Sequence, residues 1–100
     1  MSFRIYPPVH PGKILREEYM GPLGLTAYGL AKQLKTSRAR IERLSREQVP
    51  VTVDTALRLG RFFGTTPDFW MNLQTSFDLT IAESESAAPW LADIPVIAAA

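Results

Sequence analysis

Four hydroxyl residues punctuate this chain and decide most of what it can fold into. Thr26, Ser37, Thr52 and Thr66 each stand immediately before a short run whose apolar residues recur at helical spacing. A side-chain oxygen placed there accepts from an otherwise unpaired N–H of the first turn, so each marks a helix start. After Thr26 a helix is expected over 27–34, with Leu30, Ala31 and Leu34 as its buried stripe. After Ser37 a second is expected from 38 to about 46, anchored by Ile41 and Leu44. Thr52 opens "VDTALRLGRFFG", where Ala56, Leu57, Leu59, Phe62 and Phe63 follow a helical period and Gly64 suits the position just past the end. Thr66, with Pro67 and Asp68 after it, opens another to about residue 79.

A first helix is expected in "HPGKILREEYM". Pro11 fits its first position, Ile14, Leu15 and Tyr19 recur at helical spacing, and Glu17 and Glu18 face outward. The stretch "GPLGL", residues 21–25, is expected to stop it. Five helices and no convincing strand make the expected class all-α. Residues 1–9 read as an N-terminal arm, 10–79 as the folded domain, and 80–100 as a C-terminal tail whose Ala, Ser, Glu and Pro content leaves its order open.

One hundred residues make one small domain with a modest core. No apolar run approaches the roughly 18 residues of a membrane span, and the first residues lack the basic-then-apolar order of a secretory leader. With no cysteine, disulfides and thiolate metal sites are excluded, and a reducing cytoplasm is the simplest setting. The net charge of +1 conceals an asymmetry. Residues 32–46 hold six bases (Lys32, Lys35, Arg38, Arg40, Arg43, Arg46) against Glu42, whereas from Phe62 onward there is no Lys or Arg. One surface is therefore expected to meet a polyanion.

"LAKQLKTSRARIERL" carries that patch on two helices joined by a three-residue turn, the helix-turn-helix pattern. Ile41 and Leu44 fix the second helix to the core, leaving Arg38, Ala39, Glu42 and Arg43 to project as base-reading candidates. Arg38 or Arg43 can fork onto guanine, Ala39 can touch a thymine methyl, and Glu42 can accept from cytosine or orient an arginine. Lys35, Thr36, Ser37, Arg40 and Arg46 are the phosphate-contact candidates.

"TAYGLAKQLKTSRARIERL" resembles the Cro/repressor (XRE) class of helix-turn-helix. With "HPGKILREEYMGPLGLT" before it and "VTVDTALRLGRFFGTTPDFWMNLQTSFDL" after it, the chain resembles the HigA/VapI-type antitoxins of bacterial toxin–antitoxin modules over residues 10–79. The resemblance implies a five-helix Cro/repressor-like helix-turn-helix domain and a small homodimer with two tasks. One is to neutralise a partner toxin, usually a RelE-like ribonuclease. The other is to repress its own operon from an inverted-repeat operator. Two positions depart from the pattern: Lys35 stands where the turn often has glycine, and Arg46-Glu47 where Asn-Gly often follows the recognition helix.

Phe69, Trp70, Leu73 and Phe77 put apolar groups on more than one face of the last helix, which suggests a dimer interface. Phe3, Ile5 and Tyr6 of the arm are candidates for the toxin contact. His10, the sole histidine, is expected at a helix start or on the surface rather than in a metal site. Glu17 and Glu18 point in different directions, and Ser37 and Ser45 have no partner base nearby in sequence, so no enzyme, metal, cofactor or small-molecule substrate is expected. Two other readings stand beside the antitoxin: a solitary regulator of the same fold, and a protein-inhibitor module whose basic helix meets its partner.

Overall fold

The computed structural model describes residues 4–84 and 88–98. Five helices carry the fold, and there is no strand among the described residues. Helix α1 begins as α-helix over Pro11–Ile14, widens to π-helix over Leu15–Met20 and closes as α-helix over Gly21–Leu23. Helices α2 (Ala27–Leu34), α3 (Arg38–Ser45), α4 (Val53–Phe63) and α5 (Pro67–Ala82) follow, and a short 3-10 turn occupies Pro89–Asp93.

The hydroxyl punctuation is realised four times over. Thr26, Ser37, Thr52 and Thr66 each accept from the N–H three residues on, at 3.0, 3.2, 3.3 and 3.1 Å. His10 starts α1 in the same manner: its Nδ1 accepts from the Gly12 N–H at 2.8 Å. The ring is buried, not on the surface, with Phe77 at 5.0 Å between centroids. Burial pushes its pKa below the ordinary 6.5, against the weaker opposite pull of Glu47, Asp78 and the Val49 backbone.

Helix α1 stops within residues 21–25, as expected, and the end of α5 alone lies beyond its expected place. Helix α1 passes through Gly21 and Pro22, because the π turn ahead of them already sends the Gly21 N–H to the Arg16 carbonyl, five residues back. That wider turn eases the clash a proline ring makes with a normal α-helical carbonyl. Gly24, at φ +63°, ends the helix. Helix α5 runs past residue 79 to Ala82, taking the first residues of the expected tail with it, since no glycine or proline interrupts it.

The core is built from Leu15, Leu30, Leu34, Ile41, Leu44, Ala56, Leu59 and Trp70, all buried. Trp70 corrects the expectation of a dimer surface at that position: it is fully buried, and its indole N–H donates to Thr65 Oγ1 at 2.8 Å. Tyr19, Phe63 and Phe69 pack around it. Leu73 is likewise a core residue, so neither side chain is free to meet a second copy. Phe69 and Phe77 are half-buried.

The arm is tied to the end of α5. The Ile5 N–H donates to Ser76 Oγ at 3.1 Å, and Arg4 pairs with Glu83 at 2.9 Å. Ile5 is thereby half-buried against the core, whereas Tyr6 is 85% exposed. Phe3 lies outside the described residues. No helix among the described residues is long and apolar enough to cross a membrane.

Candidate nucleic-acid interface

Helices α2 and α3 are joined by Lys35, Thr36 and Ser37. The turn requires a left-handed residue directly after α2, and Lys35 supplies it at φ +59°. Its strain is contained by hydrogen bonds on both sides. The Thr36 N–H returns to the Ala31 carbonyl at 3.0 Å. From α4, Arg58 Nη1 donates to the carbonyls of Leu34 and Lys35 at 2.8 and 3.0 Å, closing the end of α2.

Ile41 and Leu44 sink the inner face of α3 into the core. Arg38, Ala39, Arg40, Arg43 and Arg46 are exposed, and Glu42 is half-buried. Glu42 lies 3.3 Å from Arg38 one turn earlier, so the carboxylate orients that guanidinium. Ser37, Arg40 and Arg43 line one hollow of about 390 Å³ beside the start of α4. Lys35, Arg43 and Arg46 have no acidic partner among the described residues.

Arg40 differs. It meets Asp54 at 2.5 Å, and the same carboxylate oxygen accepts from Arg58 at 2.9 Å. The Arg58 hydrogen bond, then that of Arg40, holds the Asp54 carboxyl below the usual carboxylate range. One aspartate thus ties the first turn of α4 to the recognition helix and, through Arg58, to the turn. Sequence reasoning passed over Asp54 and Arg58. The available signal was their i, i+4 spacing at the start of a helix, where an acid followed by a base is favourable.

Lys35, Arg38, Arg40, Arg43 and Arg46 are all exposed and make the turn and the outer side of α3 a basic strip. The chemistry it offers is guanidinium forks, an ammonium and hydroxyls, suited to phosphates and base edges and to no bond-breaking step. Among the described residues no group of three or more His, Cys, Asp or Glu is placed to hold a metal ion.

No family model matches the chain. It is 53% identical over 79 residues to virulence-associated protein I of Dichelobacter nodosus, covering 79% of this chain and 73% of that protein. An uncharacterized HTH-type transcriptional regulator of Haemophilus influenzae is 39% identical over 72 residues, 72% of this chain and 67% of that one. Antitoxin HigA-1 of Vibrio cholerae is 35% identical over 72 residues, 72% and 68% of the two chains. Among solved structures, antitoxin HigA of Pseudomonas aeruginosa with the higBA promoter superposes with a TM-score of 0.85 at 36% identity, over 91% of this chain and 99% of that one. Antitoxin GraA in complex with its operator gives 0.87 at 37% identity, over 99% of each chain.

Proposed function

The chain belongs to the HigA/VapI-type family of helix-turn-helix antitoxins, and on that premise we propose that it represses its own operon from operator DNA and neutralises a cognate toxin. The family is one of antitoxins and regulators, not of enzymes. The observation that carries the DNA half is the exposed basic strip on a helix whose opposite face is locked into the core. Relatives of the same fold, at 36% and 37% identity, are seen with a promoter and with an operator.

In this reading α3 enters the major groove, which is roughly 12 Å wide. Arg38, Ala39, Glu42 and Arg43 face base edges, while Lys35, Thr36, Ser37, Arg40 and Arg46 meet phosphates. Ser37 keeps its hydroxyl hydrogen for a phosphate while its oxygen caps α3. Two copies reading an inverted repeat place their recognition helices about 34–36 Å apart. Exposed Leu79, Ile81, Trp90, Leu91 and Ile94 supply apolar area for a homodimer, in place of the buried Trp70 and Leu73. The domain proper then extends from residue 10 to the end of α5.

The toxin is a ribonuclease of the RelE-like kind, and the exposed Tyr6 on the tethered arm is a contact for it. The setting is the cytoplasm, where operon and ribosome are both met. The test is co-expression with the small open reading frame beside this gene. A neighbour that stops growth alone, is silenced by this chain and co-purifies with it is the expected result. A harmless, unbound neighbour with DNA binding intact establishes instead the solitary regulator.

A further inference from the structure

The C-terminal end of the recognition helix is held from α1 at two points one helical turn apart. Gly12 lies so close to it that a Cβ there would sit 1.8 Å from the Leu44 carbonyl oxygen. One turn on, Arg16 donates through Nη1 to the Ser45 carbonyl, and through Nη2 to Glu17 and Glu47, each at 3.2 Å.

What Arg16 grips is an unusual helix exit. Glu47 stands at φ +63°, a conformation that suits glycine and strains a residue with a side chain. The backbone nevertheless closes as a glycine-ended helix would: the Glu47 N–H reaches the Leu44 carbonyl and the Gln48 N–H the Arg43 carbonyl, both at 2.9 Å. Arg43, a base-reading candidate, is therefore part of the closure.

We propose that Arg16 is a positioning residue for DNA reading: by holding the Ser45 carbonyl and the Glu47 carboxylate together it fixes the exit of α3, and with it the presentation of Arg43 and Glu42 to the groove. The inference rests on the DNA-reading role of α3. A purely structural role makes a different forecast. The Arg16 and Glu47 side chains are 41% and 39% exposed, and ion pairs so placed contribute little to stability. Loss of Arg16 should thus leave melting nearly unchanged while loosening the geometry on which base discrimination depends.

The experiment compares Arg16→Ala and Arg16→Lys with the full-length parent by fluorescence anisotropy. The probes are a duplex of the region upstream of the chain's own gene and a scrambled duplex of equal composition. Lysine keeps the charge but cannot span the carbonyl and both carboxylates with a planar fork. For both variants the expected result is a loss of about tenfold or more on the native duplex, with little change on the scrambled one. Adding Glu47→Gly, which adopts the left-handed exit unaided, should restore most of the ratio to Arg16→Ala. Glu47→Gln, which removes the carboxylate alone, should lower the ratio too and stands in should Arg16→Ala fail to fold. Native-to-scrambled ratios within twofold of the parent, equal losses on both duplexes, or no rescue by Glu47→Gly overturn the role of Arg16. A parent that does not prefer its own upstream duplex overturns the DNA reading itself, and the inference with it.

Discussion

Replacing Lys35 by glycine should make the fold more stable and the DNA complex weaker, and the two effects can be sized separately. Lys35 occupies the left-handed region at φ 59°, ψ 41°. A side chain there costs roughly 1–2 kcal/mol, which glycine avoids. Glycine loses about 0.5–1 kcal/mol more backbone entropy on folding than a residue with a side chain. The difference is a net gain of about 0.5–1 kcal/mol, or a rise in Tm of roughly 2–8 °C for a domain of this size. No contact opposes the gain, because the two Arg58 hydrogen bonds at this turn end on backbone carbonyls that glycine retains. On DNA the balance reverses. If each Lys35 meets one phosphate, a dimer loses two, and the slope of log K against log salt becomes shallower by about 1.8. Thermal melting and anisotropy titrations between low and moderate salt read both numbers. A lower Tm would refute the account of backbone strain, and an unchanged slope would remove Lys35 from the phosphate contacts.

Arg43→Ala should weaken the native upstream duplex by about 1–3 kcal/mol and random DNA hardly at all; equal losses in a gel-shift comparison would move Arg43 to the phosphate class. His10 is held neutral, with a folded pKa below its unfolded 6.5. The unfolded chain therefore binds the proton more readily, and the stability from His10 is present above pH 6.5 and lost as the pH falls from there through the folded value. His10→Asn keeps a capping acceptor and should flatten that part of the stability profile in urea melts at stepped pH; a profile as steep as the parent's would refute this. Gly12→Ala should cost about 3 kcal/mol or more, since its Cβ meets the Leu44 backbone oxygen at 1.8 Å and backbone cannot swing aside. Gly21→Ala is the control, because its nearest neighbour lies at 3.3 Å and alanine favours the helix. Equal melting of the two variants would contradict the close approach of α1 and α3.

What could be read from the sequence was local. Thr26, Ser37, Thr52 and Thr66 act on N–H groups three residues away, so each helix start is written beside the helix it opens. The inward pair Ile41 and Leu44 follows from period alone. Trp70 and Leu73 show the limit of that logic. A helix apolar on several faces is consistent with a wedge inside one chain or a face between two, and only the packing of Tyr19, Phe63 and Phe69 around Trp70 decides for the wedge. The supports of the basic strip were hidden for another reason. Arg58 reaches residues 23 and 24 positions back, and Arg16 a carbonyl 29 positions on. Contacts at such separations leave no periodic trace.

Asp54 has a consequence for how this protein's ionic behaviour is to be interpreted. Its carboxylate is shared by Arg40 and Arg58 through one oxygen, so it serves as a resident counter-ion of the basic strip. On the proposed reading, Arg40 must leave Asp54 to meet a phosphate, and Asp54 then keeps Arg58 as its partner. Arg40 therefore trades one ion pair for another, whereas Lys35, Arg43 and Arg46, with no acidic partner among the described residues, break none. Replacing Arg40 should then cost the DNA complex less than replacing a base that starts unpaired. The gap between the two measures how much of Arg40's attraction Asp54 already satisfies.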